Sequence, residues 1–412
     1  MSSAFSIALS SLQAESEAIN TTGQNLANIN TTGYKGSEVA FRDLVYANLG
    51  STGSFGMGVT GPTDHQIFSQ GSLISSTSPW AGAIQGNGFF MLKGSSGQAM
   101  YTRDGNFALS NEGVLQTMTG AKVQGWTATS NGIDTAAAPS DIVVDQAATV
   151  SPQATSNLSF TVNLDAAGDA ATGSGNISVP AQVTDSLGNT HILTVSFVQS
   201  TTAPNSWSYN VTIPTSDLSS GTGAIASGTL AFNPDGTIAS TSPSSVPLNV
   251  TNLADGANNL SISWNLQGST GNSLLTQYAQ KSSYGSLVAD GNQAGILSNV
   301  GLGDNGQIVA SFSNGQKKTI GQIALASFRN QDSLQSIGNN DYAATINTAL
   351  PSIGAPQTGD RGTVVAGALE GSNVDIATQF TNLITFQRGY QASSRVITTE
   401  TTMFQDLLNV IR

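Results

Sequence analysis

Paired terminal α-helices plus two mainly antiparallel β domains, the outer one inserted in the inner one, form the multidomain α+β fold predicted by this 412-residue sequence. Three observations predict it. Apolar residues at both ends recur at steps of four and three, the seam spacing of a heptad repeat and hence of a coiled coil. The interior changes to two-residue alternation punctuated by Gly, Asn and Asp turns. Positive charge also vanishes from Val123 to Gln280, a span that holds nine Asp, so one stretch is set apart from its flanks.

At the N-terminus the steps run through Phe5, Leu9, Leu12, Ser16, Ile19, Gly23 and Leu26. At the C-terminus they run through Ile376, Phe380, Leu383, Gln387, Tyr390, Ser394, Ile397, Thr401, Phe404, Leu408 and Ile411. The apolar members of these two series are the candidate helix-packing and self-assembly residues. Ser372 followed by Asp375 resembles a capping box, which puts the start of the second helix near Asn373, and Arg412 suits the negative end of its dipole. At about 1.5 Å per residue the helices would be roughly 40 Å and nearly 60 Å long. Thr21, Thr22, Gly389, Thr398, Thr399 and the polar seam members make each helix marginal alone. The two seams are therefore expected to pair within one chain. Phe41, Phe386, Val396, Met403 and Leu407 stand off the seam as apolar surface for neighbours, a pattern that predicts folding on assembly.

Between the helices, Gly86 to Leu92 reads as a turn entering a short buried strand, and Asp104-Gly105 and Asn111-Glu112-Gly113 punctuate a meander over Tyr101 to Gln124. The same grammar returns at Asp304-Asn305-Gly306, Ile308 to Phe312, Asn314-Gly315 and Ile320 to Phe328. His191-Leu193-Val195-Phe197, Trp207-Tyr209-Val211-Ile213 and Leu260-Ile262-Trp264-Leu266 alternate with polar partners in a separate β region. The expected division is a helical domain at 1–32 and 370–412, a connecting segment at 33–71, a split β domain at 72–148 and 286–369, and an inserted β domain at 149–285.

Charged residues make up only 9% of the chain, with 13 Lys+Arg against 25 Asp+Glu and a formal charge of -12. That balance excludes a phosphate-binding nucleic-acid partner and disfavours an anionic membrane. Absence of Cys excludes disulfides and thiolate sites. The first residues lack a basic n-region, and no run of about 18 apolar residues occurs, so neither a cleavable signal nor a membrane insertion is expected. His65 and His191 lie far apart with no carboxylate or second His at ligand spacing, predicting strand or loop residues. Gly86-Asn87-Gly88 and Gly303 to Gly306 fit no phosphate-binding loop, and Asp304-Asn305-Gly306 lacks the bidentate Glu of an EF-hand. No enzyme, metal or cofactor is expected.

The segment Asn25-Leu26-Ala27-Asn28-Ile29-Asn30-Thr31-Thr32-Gly33-Tyr34-Lys35 resembles the N-terminal motif of the flagellar rod, hook and hook-associated axial proteins. LEGSNVD and FQRGYQASSRVITTETTMFQDLL near the C-terminus resemble the closing module of that family. GNGFFML with YTRDGNFALSNEGVLQTMTGAKVQGW resembles its shared split β domain. DSLGNTHILTVSF and SNGQKKTIGQIALASF resemble the hook members. The family motif positions here are Asn25, Leu26, Ala27, Asn28, Thr32, Gly33, Tyr34 and Lys35.

The resemblance implies a structural subunit of a helical homopolymer, the flexible hook that acts as a universal joint and transmits torque from rod to filament. It implies terminal helices lining an inner tube, β domains outside, and an extracellular place at the basal body. Implied partners are the chain itself, rod, hook-cap and hook-filament junction proteins, and the flagellar type III export apparatus. A straight proximal or distal rod subunit is the nearest rival. A secreted carbohydrate-binding adhesin, using Trp80, Trp126, Trp207 and Trp264 as sugar platforms, is a remote one.

Overall fold

The computed structural model describes residues 3–47, 54–129, 132–239, 243–268 and 271–410. The chain divides into two compact units. Met1–Gln146, Asn299–Ala310 and Lys317–Arg412 form the first, and Ala147–Ser298 with Ser311–Gln316 form the second.

In the first unit, helix α1 (Ser3–Ala27) packs antiparallel on helix α2 (Ile376–Val410). Three contacts fix the register: the Ser11 and Ser393 hydroxyls lie 2.9 Å apart, Asn25 Nδ2 donates to Gln379 Oε1 at 3.2 Å, and Glu15 abuts Gly389. The seam is consequently Ala8, Ser11, Glu15, Ala18, Thr22 and Asn25 against Gln379, Asn382, Phe386, Gly389, Ser393 and Glu400. It keeps the expected steps of three and four. Its phase, however, is one residue away from the expected apolar series, about 100° around each helix. Small side chains explain the choice, because Ala, Ser and Gly let two helix backbones approach closely while bulky side chains would hold them apart.

Threonine-rich helices need an outlet for their hydroxyls. Thr22, Thr381, Thr385, Thr399, Thr401 and Thr402 each donate to the carbonyl four residues earlier, at 2.7 to 2.9 Å. The start of α2 differs from the expected Asn373. Asp375 is the cap, its Oδ1 accepting the Thr378 N–H at 2.7 Å, and the helix begins at Ile376.

After α1 the chain turns at Gly33, whose φ is +69°; a Cβ there would come within 2.6 Å of Asp104 N. The connecting segment then forms two antiparallel ladders. Ser37–Ala40 pairs with Thr63–Gln66, and Asp43–Ala47 with Ser54–Val59.

The β part of this unit is built by both halves of the sequence. Strand Phe89–Lys93 pairs with Ala99–Thr102, with Lys122–Thr129 and with Leu325–Ser327. Ile84, Phe90, Leu92, Phe107 and Val123 share a core with Ile308, Ile323, Leu325 and Val364. Phe89 points the other way, into an edge-to-face cluster with Tyr101, Phe328 and Tyr342.

The second unit is a two-sheet sandwich. One sheet is antiparallel, ordered Ile177–Thr184, Thr190–Gln199, Ser206–Thr212 and Ala224–Ala231. In the other, Asn157–Asp165 runs parallel to Leu260–Asn265 and Leu275–Tyr278 and antiparallel to Ser283–Ala289. The alternating residues of the sequence all point inward, so Leu193, Val195, Phe197, Trp207, Val211, Ile262 and Trp264 share one core. Trp264 stacks on Phe160 with ring centroids 5.2 Å apart. The unit extends beyond the expected residue 285. Strand Ser283–Ala289 completes its sheet, and Asp290 caps the first residues of the neighbouring strand by accepting the Ser156 and Asn157 N–H groups.

One remote rival loses its support here, and one expectation fails. Trp207 and Trp264 are fully buried, Trp126 donates its indole N–H to the Ala137 carbonyl at 2.7 Å, and Trp80 is half-buried, so the indoles serve packing instead of a sugar platform. His191 does have carboxylate neighbours: the fold brings Asp185, Asp217 and Asp255 within hydrogen-bonding reach of its ring, from positions 6, 26 and 64 residues away in sequence.

Candidate functional site

Two features of the first unit concentrate the residues singled out by the sequence: a buried polar node and an uncovered helix face.

The node begins with Lys35, whose side chain is fully buried. An ammonium in that position needs a counter-charge and acceptors, because desolvating an unpaired cation costs several kcal/mol. Lys35 Nζ donates to Glu370 Oε1 and to the Ser69 carbonyl, both at 2.7 Å. Arg103 Nη1 donates to the other Glu370 oxygen at 3.2 Å, its Nη2 reaches the Gly86 carbonyl at 2.9 Å, and its guanidinium lies 5.2 Å from the centre of the Phe89 ring. The Gly71 N–H also donates to Glu370 Oε1. Burial pulls the Lys35 and Arg103 pKa values down, and the Glu370 carboxylate opposes it in both cases.

Around this triad, amides tie the ends of the chain together. Asn25 donates to Gln379 and to the Ser37 carbonyl at 2.7 Å, while its Oδ1 accepts the Ser37 N–H at 2.9 Å and the Tyr34 hydroxyl at 3.3 Å. Asn373 mirrors it, accepting the Gly36 N–H and donating to the Ile67 and Ser69 carbonyls. Thr32 donates to Asp104 Oδ1 at 3.0 Å, and burial pushes the Asp104 carboxyl up. The Gly33 N–H bonds the Glu370 carbonyl at 2.7 Å. Leu26 and Asn28 are half-buried, and Ala27 is exposed. Three sequence motifs, separated by up to about 340 residues, thus meet at one carboxylate, Glu370. Neither Arg103 nor Glu370 was marked as a site by sequence reasoning. The signal was their rarity, since a buried charge is conspicuous in a chain with few charges.

The second feature is the outer face of α2. Ile376, Phe380, Ile384, Tyr390, Phe404 and Leu408 are exposed, with Phe380 at 51% and Leu408 at 66% of full accessibility; Val396, Met403 and Leu407 are exposed too, but they continue the seam's own steps toward the end of α1, where Val396 and Met403 line a pocket with Ala4. On α1, Ile7 and Leu9 are exposed too. Phe5, Leu12, Ile19, Leu26, Leu383 and Ile397 are half-buried, and Ile411 lies outside the described residues. The described residues of the expected seam are therefore half exposed and half only partly covered, and none is buried. Phe386, expected off the seam, sits in it, with its ring 6.0 Å from Phe41. By the pairing register, the last turns of α2 with Met403, Phe404, Leu407 and Leu408 continue past the level of Ser3.

Neither feature offers a nucleophile with a base beside it. The node can lock geometry, and the face can bury apolar area against something else.

Comparison with known proteins agrees with this arrangement. Residues 5–35 match the family model described as flagella basal body rod protein, 157–292 the flagellar basal body protein FlaE D2 domain, and 365–410 the flagellar basal body rod FlgEFG protein C-terminal. The flagellar hook protein FlgE of Escherichia coli is 32% identical over 99% of this chain and 100% of its own length. That of Treponema pallidum is 30% identical over 98% of both chains. A crystal structure of Helicobacter pylori hook protein FlgE2 shares the fold, with a TM-score of 0.52 over 72% of this chain and all of that one, at 14% identity. Likeness to hook proteins over nearly the whole length, inserted unit included, disfavours the rod alternative, and the chain belongs to the flagellar hook protein family.

Proposed function

We propose that this hook subunit polymerises through the outer face of α2 and that the polymer works as a flexible universal joint passing torque from rod to filament. The observation that carries the reading is the orientation of the helix pair. A pair closed largely by small and polar residues, with Phe386 as the large apolar member of its seam, leaves Leu9, Ile376, Phe380 and Tyr390 in solvent, which is costly for a monomer and favourable for a polymer. The residues proposed for contact with neighbouring copies are Phe5, Leu9, Leu12, Ile19, Leu26, Ile376, Phe380, Leu383, Tyr390, Ile397, Phe404, Leu408 and Ile411.

On this reading the Glu370 node holds the helix pair against its β body, so that force on one is transmitted to the other. The role is mechanical, with no catalytic step, and agrees with relatives that are structural hook proteins. Partners would be further copies, the rod below, a cap during growth and junction proteins above. Delivery to the cell exterior would use the flagellar export apparatus. No described helix is long and apolar enough to cross a membrane.

Phe380→Ala and Phe404→Ala test the assignment. Each should leave the monomer's unfolding transitions in place and raise the critical concentration for polymerisation at least tenfold, read by sedimentation and electron microscopy. Polymerisation of both variants at the unmodified critical concentration overturns it.

A further inference from the structure

We propose that the second unit holds a divalent metal ion of the zinc class between His191 Nε2, Asp185 Oδ2 and Asp255 Oδ2, with Asp217 as the carboxylate that orients the imidazole. Three separate turns converge to make the site. Asp185 follows strand Ile177–Thr184, Asp217 ends a short 3-10 turn, Thr215–Asp217, and Asp255 lies in the turn after Leu253. His191 opens the inward-facing alternation of strand Thr190–Gln199, where a hydrophobic residue would satisfy the core pattern equally well.

The distances match a metal site. His191 Nε2 stands 3.2 Å from Asp185 Oδ2 and 3.4 Å from Asp255 Oδ2, and all three ligand atoms lie within 4.8 Å of one another. For a tetrahedral ion with bonds of about 2.0 to 2.1 Å, adjacent ligand atoms are about 3.3 Å apart. The opposite ring nitrogen, Nδ1, is 3.1 Å from Asp217 Oδ2. A carboxylate on the far nitrogen is the usual outer partner of a metal-bound His, since it fixes the tautomer that presents the Nε2 lone pair to the ion.

Charge supports the same conclusion. With Nδ1–H donated to Asp217, a neutral imidazole would aim its Nε2 lone pair at two carboxylate oxygens that are themselves acceptors, so Nε2 must carry a proton or a metal. No Lys or Arg lies between Val123 and Gln280 to offset the acids. One imidazolium offers a single positive charge to three carboxylates, whereas a divalent ion on neutral His balances Asp185 and Asp255 outright. Asp185 is prearranged for the role. Its Oδ1 accepts the Leu187 and Asn189 N–H groups at 2.8 and 2.9 Å, which directs Oδ2 toward the ring. Asn189 Nδ2 donates to Asp255 Oδ2 at 3.0 Å and holds the second carboxylate nearby. The Asp185 and His191 side chains are buried and Asp255 is partly open to solvent, which supplies an entry path for the ion.

The test uses the full-length chain, stripped with a chelator and titrated calorimetrically with Zn²⁺, with Ca²⁺ and Mg²⁺ run in parallel. One Zn²⁺ should bind per chain, far more tightly than Ca²⁺ or Mg²⁺, and should raise the melting temperature of the second unit. H191Q and D255N should abolish that binding, D217N should weaken it 10- to 100-fold, and H65Q should leave it unchanged. D255N alters the more open ligand, so it remains informative if H191Q fails to fold. Nitrogen-detected NMR should show His191 Nε2 without a proton in the Zn²⁺ form. Absence of Zn²⁺ binding, binding that survives D255N, or an Nε2 proton retained at saturating Zn²⁺ would overturn the proposal in favour of a purely protonic clamp.

Discussion

The helix pair and the sandwich of the second unit use their apolar residues in opposite ways. In the sandwich, Phe160, Phe197, Trp207 and Trp264 are fully buried, with Phe160 stacked on Trp264 and Phe197 edge-on to it. In the helix pair the buried face is Ala8, Ala14, Ala18, Thr21, Thr22 and Asn25, and Phe380, Phe404 and Leu408 remain outside. Hydrophobic burial contributes roughly 25 cal/mol per Å² of apolar surface removed from water. The sandwich collects that contribution within one chain, whereas the helices leave part of their apolar surface uncovered. On the proposed function, such a subunit has a body that is stable before assembly and ends that gain further apolar burial on assembly.

The comparison is broken most directly in the sandwich core. Trp264→Ala should cost about 3 to 5 kcal/mol and lower only the unfolding transition of the second unit, followed by denaturant titration with near-UV circular dichroism. An equal loss in the first unit's transition would show that the two regions are not energetically distinct. Next comes the node. Glu370→Gln leaves Lys35 and Arg103 buried without their counter-charge and should cost the first unit about 3 kcal/mol. Restoring the charge with Asp should recover only part of this, because the shorter side chain cannot reach both cations.

A smaller effect depends on pH. Burial pushes the Asp341 carboxyl up to about 6, with nearby Asp104 adding to the shift and a hydrogen bond from Thr102 opposing it. The native state therefore binds a proton that the unfolded chain has released, and stability falls as pH rises from about 4 through 6. Asp341→Asn should remove that slope and be more stable than the parent at pH 7 by about 1 to 3 kcal/mol, with little difference at pH 4. The smallest expected effect is at the helix entry. Asp375→Ala removes the cap of α2 and should cost about 1 kcal/mol, seen as fraying of the first turn in amide hydrogen exchange.

Much of the fold was legible in the sequence because period is a local property. The alternation at His191 to Phe197, Trp207 to Ile213 and Leu260 to Leu266 named the sandwich core correctly, and the steps of three and four named both helices. The phase of the helix seam was not legible. Reading the apolar series as the interface assumed that the largest hydrophobic residues face the nearest partner. Here the nearest partner is a helix admitted by Ala18, Gly389 and Ser393, one position away on each wheel. The node was half legible: the motif ending at Lys35 stood out, but its link to Arg103 and Glu370 spans 68 and 335 residues, and no local pattern encodes such a pairing. The site around His191 was missed for the same reason, since Asp217 and Asp255 reach it only through the packing of separate turns.

By itself, then, the sequence determined which segments are helix and which are strand, where positive charge is missing, and which family motifs are present, because propensity, period and composition act between near neighbours. Tertiary structure alone decided which helix face is covered and which buried cations share Glu370. It also decided which acids surround His191. These outcomes depend on close packing and desolvation, which compare groups distant in the chain and cannot be evaluated until the fold brings them together.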